Sequence, residues 1–131
     1  MERKRAWLYC RVAHDGPDSG WALEGQRLRL ETYAKEHGFE IAGCSSDIGS
    51  GLTLERPGLL DFHATIKGMK VDILLLHSLS RLGRDTNKVI GYWRLLRDLG
   101  ISIHTADFGE VDLSSSMMFP EMIGEMRKRS R

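Results

Sequence analysis

A short apolar run, Ile73–Leu76, constrains the fold of this chain more than any other part of its sequence. Four consecutive large apolar residues are typical of a strand that is buried on both faces of a parallel sheet. The run stops at polar residues, and a helical pattern opens at Asp85 or Thr86, either of which is a suitable N-cap. The segment therefore predicts a buried strand, a short connection and a helix, which is the unit from which α/β folds are built.

Two arginines, Arg81 and Arg84, lie on the connection that leaves the carboxyl end of this strand. In open α/β sheets this edge is where ligands bind. The planar guanidinium group offers paired donors and keeps its charge, so two of them close together suit the oxygens of a phosphate. A solvated basic turn that precedes a helix explains the same residues, and this stretch alone leaves both interpretations open.

Strand-like and helix-like segments alternate along the rest of the chain. The predicted strands are Ala6–Ala13, Phe39–Cys44, Ile73–Leu76 and Ile101–Thr105. The predicted helices are Trp21–His37, one that begins at Pro57, one from Thr86 to Leu99, and the start of a last helix at Pro120. This alternation predicts a single α/β domain with a mostly parallel sheet of four to five strands flanked by helices.

Length, charge and cysteine content limit the classes of function. The 131 residues are enough for one domain with one core, and the net charge is only +1, so any attraction to nucleic acid must be local. No apolar run approaches the roughly 20 residues of a membrane span. Cys10 and Cys44 fall in or at the end of predicted strands, which favours reduced thiols, and we expect a cytoplasmic protein without a membrane partner.

Motifs for nucleotides and metals are weak. The first βα turn lacks G-x-G-x-x-G, and no G-x-x-x-x-G-K-[ST] occurs. A shared metal site is an alternative, because three possible ligands each lie just past the end of a predicted strand: His14, Asp47 and His77. Capping or solvent-facing roles explain these residues more simply. We expect no metal and no cofactor, and a metal- or nucleotide-dependent α/β hydrolase is a distant alternative.

Four arginines are expected to meet at one edge of the sheet. If the first and third strands are neighbours, the positions of Arg11, Arg56, Arg81 and Arg84 bring their guanidinium groups together. A cluster of cations is costly without an anion, and phosphate is the natural one. Such a cluster can stabilise charge on a phosphodiester during a displacement reaction without a metal.

Four motifs occur in an order that resembles a known family. They are YCRV at Tyr9–Val12, LEGQ at Leu23–Gln26, DIGSG with RPGL at Asp47–Gly51 and Arg56–Leu59, and SRLGRD at Ser80–Asp85. Together they resemble the catalytic domain of the serine recombinases, the resolvase/invertase family, over nearly the whole chain. The resemblance implies one resolvase-like catalytic domain over residues 1–131 that includes the start of a C-terminal dimerisation helix, whereas the DNA-binding region of the family is expected to be absent from this chain.

The resemblance also implies a chemistry and a set of site residues. In the family a serine attacks a DNA phosphate and forms a 5′-phosphoserine bond, so strands are broken and rejoined without ATP or a metal. By resemblance, Arg11, Arg81 and Arg84 bind the scissile phosphate. The resemblance also implies supporting roles in the site or the assembly for four further residues, Gln26, Ser50, Arg56 and Asp85. The implied partners are DNA and further recombinase subunits, in a homodimer or tetramer.

The sequence departs from the family at the residue that matters most. Ala13 occupies the position of the nucleophilic serine, and a methyl group cannot attack phosphorus, so the chain as written is predicted to be inactive. Ser19 is a poor substitute on the following loop. A non-catalytic relative that assembles with active partners or binds DNA through them is the alternative. We further expect the polar loop Ile48–Arg56 to be among the least ordered regions.

Overall fold

The computed structural model describes residues 3–49 and 54–114, which form a five-stranded sheet covered by helices on both faces. The strands are β1 (Arg5–Val12), β2 (Glu40–Ile48), β3 (Ile73–Leu76), β4 (Ser102–Thr105) and β5 (Gly109–Val111). The helices are α1 (Ser19–Glu36), α2 (Pro57–Thr65) and α3 (Thr86–Asp98), with a 3₁₀ turn at Leu79–Arg81. The strand order is β2-β1-β3-β4-β5, and only β5 is antiparallel to its neighbour. The predicted fold class is confirmed.

Alternating side chains of the central strands build two apolar clusters, one on each face of the sheet. On β1, Ala6, Leu8 and Cys10 pack with α1, whereas Trp7 and Tyr9 pack with α2 and α3. All four residues of β3 are fully buried. A strand between two covered faces must be apolar on both sides, which is why the run Ile73–Leu76 predicted its position correctly.

The helix ends follow local sequence signals. Asp85 caps α3 by accepting a hydrogen bond from the Lys88 backbone N–H at 3.2 Å. Pro57 is the first residue of α2, where its missing N–H costs nothing. Gly38 and Gly100 have φ of 72° and 81° just after α1 and α3, a conformation that glycine adopts without strain.

Two elements differ from the sequence-based expectation. Strand β2 continues to Ile48 instead of ending at Cys44, because an edge strand tolerates exposed serine and because the buried Asp47 accepts hydrogen bonds from Tyr9 and Gly58. The three-residue strand β5 was not predicted, because it is too short to show a periodic pattern. The predicted helix at Pro120 lies outside the described residues. Residues 50–53 of the loop Ile48–Arg56, which include Ser50, also lie outside them. No described helix is long and apolar enough to cross a membrane.

The register of β1 creates the site. Strand β1 pairs with β3 only as far as Leu8, which lies opposite Leu75, whereas it pairs with β2 up to Val12. The last four residues of β1 are therefore not paired with β3, and one edge of this segment has no neighbouring strand. The connection after β3 passes along this edge.

Candidate active site

The 3₁₀ turn Leu79–Arg81 is fastened to the end of β1 by an exchange of hydrogen bonds between two arginines. Arg11 donates from Nε to the carbonyl of Arg81 at 2.9 Å and from Nη2 to that of Ser80 at 3.0 Å. Its Nη1 donates to the carbonyl of Gly49 at 2.5 Å. Arg81 returns a bond from Nη1 to the carbonyl of Arg11 at 3.2 Å. Side chains thus replace the strand pairing that β3 does not provide.

Gln26 of α1 also binds the backbone of Arg11, from the face of the sheet that α1 covers. The Arg11 N–H donates to Gln26 Oε1 at 3.1 Å, and Gln26 Nε2 donates to the Arg11 carbonyl at 2.9 Å. The side-chain amide therefore pairs with the strand as a neighbouring backbone would. Both residues are buried, and the contact fixes the strand just before Ala13.

A second buried network joins β1, β2 and the start of α2. The Tyr9 hydroxyl donates to Asp47 Oδ2 at 2.7 Å and accepts from Arg56 Nη1 at 3.0 Å. The Gly58 N–H donates to Oδ1 of the same carboxylate at 2.9 Å. A Cβ on Gly58 would come within 2.7 Å of Asp47 Oδ2 and 2.8 Å of the Ser46 carbonyl, so only glycine fits. The sequence placed Asp47 in a motif, but the part played by Tyr9 was not predicted.

Arg56 links this network to the 3₁₀ turn. Its Nη1 donates to the Arg81 carbonyl at 3.2 Å, and its Nη2 donates to the Leu82 carbonyl. The carbonyl of Arg81 therefore accepts from both Arg11 and Arg56. Of the four arginines expected to meet, Arg11 and Arg56 therefore converge on the backbone of Arg81.

Backbone carbonyl oxygens lie between the arginines and accept hydrogen bonds from the guanidinium groups of Arg11 and Arg56. The anion expected in this cluster stays a prediction. Burial, followed by the charges of Arg56, Arg81 and Arg84, lowers the pKa of Arg11 from its ordinary value. Burial and the hydrogen bond to Asp47 raise the pKa of Tyr9. Arg11 and Arg56, 4% and 5% exposed, hold the turn in position.

Arg81 and Arg84 differ from these two buried arginines. Arg84 is exposed, and Arg81 is half-buried with an Nε that has no hydrogen-bond partner among the described residues. Asp85, the other candidate in this segment, caps α3. Of the four arginines, Arg81 and Arg84 are therefore the two with surface exposed to a ligand.

Ala13 lies in an open cleft of about 630 Å³ between the end of β1 and the start of α1. The side chain is exposed, and Gln26 and Arg81 line the same cleft. Ser19 also lines it, and its hydroxyl donates to Asp15 Oδ1 at 2.9 Å. Ala13 thus lies in the same cleft as the side chain of Arg81.

The metal-site alternative receives no support from this geometry. Asp47 is buried and engaged by Tyr9 and Gly58, whereas His14 is exposed. Within residues 3–49 and 54–114, no group of three histidine, cysteine or acidic side chains could hold a metal ion.

The chain is similar to several solved catalytic domains. It shares 25% identity and a TM-score of 0.73 with the N-terminal catalytic domain of TP901-1 integrase, over 98% of this chain and 97% of that one. It shares 31% identity and a TM-score of 0.69 with the C-terminal catalytic domain of ISC1926 TnpA, an IS607-like serine recombinase, over 78% and 68%. A resolvase family site-specific recombinase from Streptococcus pneumoniae has the same fold at 23% identity and a TM-score of 0.72, over 98% and 91%.

The family model described as "Resolvase, N terminal domain" matches residues 6–131, which is nearly the whole chain. The matched residues include β1 with Arg11, the Gln26 side chain that binds the Arg11 backbone, and the 3₁₀ turn with Arg81. The family model therefore spans the complete site described above. The chain belongs to the resolvase family of serine recombinases.

Proposed function

We propose that this chain is the catalytic domain of a site-specific DNA recombinase, in which DNA is broken and rejoined by phosphoryl transfer. The observation that carries the proposal is the position of Arg81, whose half-buried guanidinium side chain lines the cleft at Ala13. A phosphate oxygen is a strong acceptor for such a donor. Family membership supports the same substrate.

The arginines are proposed to divide two tasks. Arg81 and Arg84 bind the scissile phosphate, because they are the two arginines of the cluster with exposed surface, and Arg81 lines the cleft. Arg11 and Arg56 position the turn that presents Arg81, because their contacts are to backbone carbonyls. Charge-assisted hydrogen bonds fixed before reaction stabilise the charge that develops on phosphorus without reorganisation.

Ala13 decides which step this chain performs. In a 5′-phosphoserine mechanism, a hydroxyl oxygen at this position forms the bond to phosphorus while the bond to the 3′ oxygen breaks. Alanine has no such oxygen, so we propose that the chain binds and positions DNA but does not cleave it. A non-catalytic subunit that assembles with active recombinase subunits in a dimer or tetramer is the second candidate function, and Ala13 is the observation that favours it.

Arg84→Ala is expected to weaken binding to short duplex DNA about tenfold and to reduce the salt dependence by about one counterion, because one phosphate contact is lost. Titration by fluorescence anisotropy at several salt concentrations measures both quantities. Arg94→Ala is the matched control, since Arg94 is also exposed, on α3, and its loss changes the net charge by the same amount. Equal losses in the two variants would contradict a specific role for Arg84.

Trp21 offers an optical test of the same site. It is 79% exposed beside Ala22, which lines the cleft, whereas Trp7 and Trp93 are 7% and 6% exposed. DNA entering the cleft is expected to change the emission of Trp21 and leave the buried tryptophans unaffected. Trp21→Phe should abolish the change while anisotropy still reports binding. A change that persists in Trp21→Phe would place DNA elsewhere on the protein.

A further inference from the structure

The two cysteines of the chain lie on neighbouring strands and on the same face of the sheet. Cys10 of β1 is opposite Ser46, and Cys44 of β2 is opposite Leu8. Because side chains two residues apart on a strand share a face, both thiols lie on the side covered by α1. Cys10 is buried there with Leu30, whereas Cys44 is exposed at the edge of the sheet.

The two thiols influence each other's ionisation and differ in reactivity. Their hydrogen bond, followed by burial, raises the pKa of Cys10, and the same bond lowers the pKa of Cys44. Arg27 of α1 also favours the thiolate of Cys44. Since a thiolate is the nucleophilic form, the accessible sulfur is also the more reactive one. The buried sulfur lies within reach of it and is shielded from solvent.

We propose that Cys10 and Cys44 are a redox-sensitive pair that peroxide converts into an intramolecular disulfide between β1 and β2. The Cys44 thiolate attacks one oxygen of hydrogen peroxide, the O–O bond breaks, and Cys44 sulfenic acid and hydroxide are formed. The Cys10 sulfur then attacks the Cys44 sulfur, the S–O bond breaks, and the Cys10 proton leaves with the oxygen as water. The hydroxide takes up the proton that Cys44 released on ionisation. Two thiols lose two electrons in total, and the peroxide is reduced to two molecules of water.

The register places the two sulfurs diagonally across adjacent strands. Cys10 lies two residues along β1 from Leu8, the partner of Cys44, and a disulfide requires the two Cα atoms to come within about 7 Å. The cross-link would join the strands one residue before Arg11 and three residues before Asp47. Oxidation would therefore fasten β2 to β1 directly beside the arginine cluster.

Intact-mass spectrometry of the protein treated with hydrogen peroxide tests the proposal. We expect a monomer that has lost two hydrogen atoms, takes up no iodoacetamide after unfolding, and regains two alkylation sites after reduction. In Cys10→Ser, the Cys44 sulfenic acid persists and is trapped by dimedone. In Cys44→Ser, the buried Cys10 stays reduced under the same conditions.

Three results would overturn the proposal. They are a wild-type protein that keeps two alkylatable thiols, oxidation that yields only intermolecular dimers or a sulfinic acid, and a Cys44→Ser variant that is oxidised as fast as the wild type. Circular dichroism of both variants before treatment verifies that they are folded. None of these readouts depends on DNA, so the outcome is independent of the proposed recombinase function.

Discussion

Ala13→Ser is expected to give a protein that forms a covalent bond with DNA, whereas the Ala13 protein forms none. The substitution places a hydroxyl group in the cleft shared with Arg81 and Gln26, at a position that is already exposed. Because the methyl group faces open space, adding one oxygen should alter the free energy of unfolding by no more than about 0.5 kcal/mol. The gain is therefore expected in chemistry alone.

A denaturing gel of end-labelled recombination-site DNA measures this gain, with both variants compared in this chain and in any longer natural form of it. We expect a labelled 5′ end that migrates with protein for the serine form only. Ser19→Ala in the Ala13 background tests the nearby hydroxyl, which lines the same cleft and donates to Asp15.

An adduct formed by the Ala13 protein would identify a different nucleophile and refute the assignment of position 13. Absence of an adduct from both forms, in the presence of DNA that is demonstrably bound, would favour the non-catalytic subunit. The first result would contradict the identity of the attacking atom. The second would contradict the catalytic competence of the site around position 13.

Strong local signals explain why much of the fold could be predicted. The apolar run Ile73–Leu76, the cap at Asp85 and the glycines after α1 and α3 act over a few residues, and each appears where it was expected. Strand β2 shows the limit of this approach. Its end at Ile48 depends on pairing with Val12, which is a tertiary contact that the sequence pattern of β2 does not contain.

The candidate site was predicted in outline but not in its internal contacts. The sequence indicated that four arginines would meet if β1 and β3 were neighbours, and in the structure two of them, Arg11 and Arg56, bind the carbonyl of a third, Arg81. It did not indicate that the first two bind backbone oxygens, because the path of the 3₁₀ turn depends on β3 being shorter than β1. That difference in strand length therefore determines which arginines keep exposed surface for a ligand.

Asp47→Ala is expected to lower the free energy of unfolding by about 3–5 kcal/mol, because it removes the carboxylate from a buried network that contains cations. The Tyr9 hydroxyl and the Gly58 N–H would lose their acceptor at once. Chemical denaturation measures the change, which should appear as a lower midpoint with an unchanged m-value. Asp61→Ala on the exposed face of α2 is the matched control.

Asp47→Asn separates the loss of charge from the loss of shape. The amide keeps one oxygen for the Gly58 N–H, but its NH₂ group then faces the Tyr9 hydroxyl, which already accepts from Arg56. The hydroxyl hydrogen is left without an acceptor, and a cost of about 1–3 kcal/mol is expected. Adding Tyr9→Phe to Asp47→Asn should restore part of this loss, because the double variant no longer contains the unpaired hydroxyl. If Asp47→Asn were as stable as the unmodified protein, the carboxylate charge would have no role in holding the arginine cluster together.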